Sequence, residues 1–175
     1  MKKNILLILL FCSTFVGAQN VAFVSQDSIL ASIPQFKENM TRIDELTKGY
    51  QEEIKIAKEK ITENIQKLLA NYNVVQTETI EDVKKRMSSK DISNFDLLLE
   101  EDKFIEKKAK NYETLLESDY NATVKPILDK INTTIATYAK KNKIEVVYIL
   151  EQIKPALAYV DSKKYITTQI IKALK

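Results

Sequence analysis

Histidine is absent from this 175-residue sequence, and cysteine, glycine and proline are scarce, at one, two and three residues. Without an imidazole there is no histidine general acid or base and no histidine metal ligand. The one cysteine, Cys12, lies in the apolar stretch that opens the chain, MKKNILLILLFCSTFVGA (1–18). Everything after that stretch can therefore form neither a disulfide nor a thiolate site. Two lysines, an apolar core and the small residues Val16 and Ala18 make residues 1–18 a secretory signal, with cleavage expected after Ala18. Its core is shorter than the roughly 20 apolar residues of a membrane span. Phe11, ahead of Cys12, is too bulky for a lipoprotein cleavage site. An exported protein, without lipid anchor, disulfide or metal, is the expectation.

Glycine and proline are missing where they would break helices. Gly49 is the only glycine beyond residue 18, and the prolines stand at 34, 126 and 155, so residues 35–125 contain none. Few folds other than long helices tolerate so few chain-turning residues. Apolar residues recur at Phe36, Met40, Ile43, Leu46, Tyr50, Ile54, Ala57, Ile61, Ile65, Leu68, Tyr72 and Val75, a spacing of about 3.5, that of a coiled-coil seam. The seam falters in NYNVVQTETIEDV, where Thr77 and Thr79 offer N-caps. This places a hairpin tip near 74–79 and a returning helix behind it, with apolar Val83, Met87, Phe95, Leu98, Ile105, Ala109, Tyr112 and Leu116. Lys90, Asp91 and Asp102 interrupt that second seam. At Pro126 the returning helix is expected to kink or restart.

Strand-like composition occurs only near the two ends: VAFVS at 21–25, IEVVYIL at 144–150 and ALAYV at 156–160. A strand needs partners for its backbone groups and cover for its apolar face, so these three are expected to meet. The fold class is thus α+β. Residues 19–34 and 126–175 form a small β-sheet head, and residues 35–125 form a long, protruding, antiparallel helical hairpin. Charge follows the same division: residues 35–125 hold 16 Lys/Arg against 19 Asp/Glu, and residues 126–175 hold 9 against 4. The acids alternate with lysines along helical faces as on a solvated surface. No glycine-rich phosphate loop is present. Neither an enzyme nor a cofactor is expected.

The order of these elements resembles the Skp/OmpH family of periplasmic chaperones. The likeness is carried by VAFVSQDSILASIPQF (21–36), VKPILDKINTTIATYAKKNKIEVVYIL (124–150) and ALAYVDSKKYITTQIIKAL (156–174). The last of these reads as strand, acidic turn at Asp161, and a helix capped at Ile166-Thr167 with Ile170, Ile171 and Leu174 inward. The resemblance implies a homotrimer whose strands close a common barrel and whose hairpins surround a cavity. That cavity would hold unfolded outer-membrane β-barrel proteins in the periplasm without ATP. No nucleic-acid partner is implied. Trimer contacts are then expected from Val21, Phe23, Val146, Tyr148, Leu157 and Tyr159. Client contacts are expected from Tyr50, Tyr72, Phe95, Tyr112, Tyr120 and above all Phe104, beside the seam residue Ile105. The Lys84, Lys85 and Arg86 cluster is the arm feature left for weak contact with an anionic membrane surface. The rival reading is a structural or adaptor coiled coil of the cell envelope, its arms serving as rods.

Overall fold

The computed structural model describes residues 20–75 and 77–175; the expected signal segment lies outside them. The chain is mostly helical with a small sheet, and it divides into two compact units. One comprises Glu38–Lys125; the other joins the residues up to Lys37 to Pro126–Lys175.

In the second of these units, β1 (Val21–Val24) pairs in parallel with β2 (Val146–Ile149), Phe23 opposite Tyr148. Strand alternation sorts the side chains. Ala22 and Val24 face a core made with Ile29, Ile131, Ile166 and Ile170. That core is supplied by α1 (Gln26–Ala31), α5 (Lys125–Lys141) and α7 (Thr167–Leu174). Ser25 ends β1 and caps α1, its hydroxyl accepting from the Ser28 amide. Ile170 is fully buried and Ile171 and Leu174 pack against the core, the inward set expected of the last helix. Its N-cap, Ile166, makes no side-chain cap; the Thr167 hydroxyl accepts instead from Ser25 N–H at 2.8 Å.

The sheet has two strands, not three. ALAYV (156–160) does not pair: a short helix α6 (Leu150–Ile153) and a 3₁₀ turn (Lys154–Ala156) follow β2 directly, and Leu157–Val160 has no regular structure. Both edges of β1 are already taken, one by β2 and the other by a bridge to Tyr165 and the Ile166 amide, which donates to Phe23 C=O at 3.0 Å.

The other unit is a helical hairpin. α2 (Pro34–Ala70) and α4 (Ser89–Thr123) have 37 and 35 residues. Asn39 donates to Thr123 C=O, Arg42 forms a bidentate pair with Asp119, Tyr50 stacks on Tyr112, and Lys108 pairs with Glu53. The residue numbers of each pair add to 161 or 162, which makes the helices antiparallel about a midpoint near residue 81. Ile43, Ile61, Phe95 and Ile105 are the buried seam positions of the two long helices.

The end of the hairpin is broader than a turn at 74–79. α2 stops at Ala70, and Asn73 takes a left-handed φ of 46°, which asparagine tolerates. Thr79 does cap a helix, but only the five-residue α3 (Ile80–Lys84); the long return begins after Ser88, whose hydroxyl accepts from the Asp91 amide. What holds this end together is apolar: Val83, Met87 and Phe95 are buried among Ile65, Leu68, Leu69, Tyr72, Ile92 and Leu99. Asp91, which interrupts the seam, accepts from the Tyr72 and Ser88 hydroxyls. α4 ends at Thr123, three residues ahead of Pro126, and α5 restarts at Lys125.

Candidate functional site

Two surfaces collect the residues singled out above. The first is the face of the sheet opposite the core. Phe23 stacks on Tyr148, ring centroids 5.7 Å apart, and lies 6.1 Å from Tyr165. Phe23 is buried by these neighbours, Val21 is half-buried, and Val146 and Tyr148 remain 36% and 39% exposed. Leu157 is half-buried and Tyr159 is 83% exposed on the unpaired segment. Helices thus cover one face of the sheet, while the other carries aromatic and β-branched side chains open to water. Glu151 braces this region: its carboxylate accepts from the Ser25 hydroxyl at 2.5 Å and the Gln26 amide at 3.0 Å, at the start of α1. Burial works to raise its pKa, but these hydrogen bonds outweigh it and hold the carboxyl below its ordinary value. Sequence reading passed over Glu151 because its partners lie 125 and 126 residues away.

The second surface is the hairpin, on which the six aromatic candidates fall into distinct environments. Phe95 is core, 2% exposed, and Tyr72 packs against it with its hydroxyl on Asp91, so both are committed to the hairpin's own end. Tyr50 and Tyr112 are half-buried and stack with centroids 3.8 Å apart. With Thr47, Ile54, Ala109 and Leu116 they line an open, mainly apolar groove of about 320 Å³. Glu53 accepts from the Tyr112 hydroxyl and from Lys108, whose ammonium also lies over the Tyr112 ring. The Lys108 bond, then the Tyr112 bond, hold the Glu53 carboxyl below the usual value. Tyr120 is 37% exposed, and Phe104 is 64% exposed on α4.

The basic cluster is internally compensated. Lys84 pairs with Asp96, Lys85 with Asp82 and Arg86 with Glu78. The Arg86 hydrogen bond, followed by that of the Val75 amide, lowers the Glu78 pKa, and Lys85 and then Thr79 lower that of Asp82. Among the described residues no group of three acidic or metal-ligating side chains is placed to hold a metal ion, and no helix is long and apolar enough to cross a membrane.

The model of the family "outer membrane protein (OmpH-like)" matches residues 20–174, from the first strand to the end of α7. The chain belongs to the OmpH-like family. No curated protein matches the sequence significantly. A crystal structure from Caulobacter crescentus CB15, described as that of an OmpH-like outer membrane chaperone, is similar in fold, with a TM-score of 0.52 at 15% identity. The alignment covers 90% of this chain and 85% of that one. At that identity the likeness speaks for the overall architecture alone, shared over most of both chains.

Proposed function

We propose that this OmpH-like chain is an ATP-independent periplasmic holdase that binds unfolded outer-membrane β-barrel proteins between helical arms, assembled as a homotrimer through its sheet. The observation that carries this reading is the hairpin itself. Two helices of 37 and 35 residues bury one narrow seam, so most of their surface is left free of internal packing. A holdase needs adaptable apolar surface spread thinly among charges, which keeps the free protein from self-aggregating. The Tyr50–Tyr112 groove and exposed Phe104 offer such surface. The open face of the sheet supports assembly: among the described residues Val146 and Tyr148 are only partly covered and Tyr159 is largely exposed, and two strands alone bury little. Closure around a threefold axis would cover Val21, Phe23, Val146, Tyr148, Leu157 and Tyr159 and give ALAYV the partner it lacks in one chain.

The alternative, an envelope adaptor or rod, draws on the unbroken seam of α2 from Ile43 to Leu68. One experiment separates the two. Residues 19–175 are mixed, without nucleotide, with a urea-unfolded outer-membrane β-barrel protein at the moment of dilution into buffer, and light scattering is followed. A holdase suppresses aggregation at near-stoichiometric trimer. Scattering unchanged from the client alone removes the chaperone reading and leaves the rod.

A further inference from the structure

The long return helix carries a line of apolar side chains that the hairpin does not use. Leu97, Phe104 and Leu115 are 60%, 64% and 54% exposed. They are 7 and 11 residues apart, and at 3.6 residues per turn these steps bring all three to within about 20° of one line along α4. The buried positions Phe95 and Ile105 lie on a different side of the same helix. The line extends about 27 Å at 1.5 Å per residue. Lys108, one turn past Phe104, is held by Glu53 on α2 and by the Tyr112 ring, so a cation that could interrupt the line is engaged elsewhere.

We infer that Leu97, Phe104 and Leu115 form a contact strip for an extended, non-native polypeptide segment, an inference that rests on the holdase reading above. Size argues against a folded occupant. Three half-exposed side chains offer on the order of 300 Å², whereas a stable folded interface buries about 800 Å² per partner. Shape argues for an extended one. A strand-forming chain rises about 3.3 Å per residue, so some eight residues span the strip, and an outer-membrane strand presents an apolar side chain every second residue. The two steps of the strip, about 10 and 16 Å, are about three and five strand residues, so an alternating segment sets its apolar side chains on Leu97 and Leu115 together in one register and on Phe104 in the other, and gains a contact in either. The charges flanking Phe104, Glu100 and Glu101 on one side and Lys107 and Lys108 on the other, include both signs, so apolar content rather than charge selects the segment.

The test compares wild type with the triple variant Leu97→Gln, Phe104→Gln, Leu115→Gln, using a urea-unfolded outer-membrane β-barrel protein as probe. All three positions are solvent-facing, so helicity and thermal midpoint should hold. Client affinity should fall about tenfold or more. Affinity within twofold of wild type in a folded variant overturns the strip. In parallel, a photo-crosslinking residue is placed at Phe104 and, as a control, at Lys110, which lies on another side of α4 and is exposed. Cross-links to client from position 104 and not from 110 support the strip and do not depend on the triple variant folding. Equal cross-linking from both positions, or cross-linking from 104 to a second copy in preference to client, overturns it. If wild type itself neither binds client nor suppresses its aggregation, the holdase reading fails and the strip falls with it. A wild type that protects client beside a folded triple variant that binds it as tightly overturns the strip and leaves the holdase reading standing.

Discussion

Tyr50 and Tyr112 stack almost face to face across the hairpin, centroids 3.8 Å apart and planes 4° from parallel. Aromatic rings prefer an offset or edge-on approach, so a third contact is expected to hold the geometry, and Glu53 provides it by accepting from the Tyr112 hydroxyl. The carboxyl's lowered pKa means that this contribution is complete above the ordinary value of 4.5 and is lost as pH falls through the folded value. Tyr112 is raised above its ordinary 10.0, chiefly through the same bond, so on that side the contribution is complete below pH 10.0 and is lost as pH rises through the folded value. Tyr112→Phe should therefore lower the thermal midpoint at neutral pH, and the deficit relative to wild type should shrink as the melts are taken to pH values progressively below 4.5. A deficit of the same size in Glu53→Gln, where the carboxylate is absent, as in the wild-type background would show that Glu53 plays no part.

Lys143 offers a stabilising change. It has φ 54° at the end of α5, where Ile144 N–H reaches back to Ala139 C=O at 2.9 Å, the arrangement that glycine usually completes. A side chain in this region costs of order 1 kcal/mol. Lys143→Gly should raise the unfolding free energy by about 0.5–1 kcal/mol in urea titration, with the slope unchanged. A loss of stability would mean that the lysine side chain contributes more than its backbone strain costs.

Much of the fold was legible because its signals are local. Scarce Gly and Pro with a 3.5-residue period gave the two long helices, and β-branched runs gave β1 and β2. Two features were not legible. ALAYV has strand composition, but strand formation depends on a free edge, and Tyr165–Thr167 occupies the edge of β1 that it would need. The hairpin end looked like one turn because Thr79 is a good cap; that the helix it starts would stop after five residues depends on Val83, Met87 and Phe95 folding back on Ile65–Tyr72. Among the candidate aromatics, the period set Phe95 in the seam and Phe104 beside it, as their burial and exposure bear out; that Tyr72 is committed to the hairpin's own end with Phe95 depends on packing that the period does not carry.

The sheet face yields a paired prediction. Tyr148 is 39% exposed and Phe23 7% exposed in the single chain. Tyr148→Asp should leave the far-ultraviolet spectrum of the chain intact yet give a monomer on sedimentation, because a subunit interface would bury an unpaired charge at a cost of several kcal/mol. Phe23→Asp places the charge between Tyr148 and Tyr165 and should unfold the β1 region in any assembly state. A Tyr148→Asp protein that sediments as wild type would remove this face from the interface.

The central claim is that the arms are the binding device, and a matched deletion measures it. Since cross-hairpin pairs add to 161 or 162, removing Asp44–Asn64 together with Leu97–Glu117 takes 21 facing residues, three heptads, from each helix and keeps the seam in phase. The Arg42–Asp119 pair and the buried Val83, Met87 and Phe95 remain. Each arm shortens by about 30 Å at 1.5 Å per residue. With helicity and assembly state checked first, the measurement is light scattering of a diluted, urea-unfolded outer-membrane β-barrel protein in the presence of full-length or shortened chain. Full-length protein should suppress the scattering, and the shortened one should leave it close to that of client alone. Equal protection by the two would contradict a binding role for the arms.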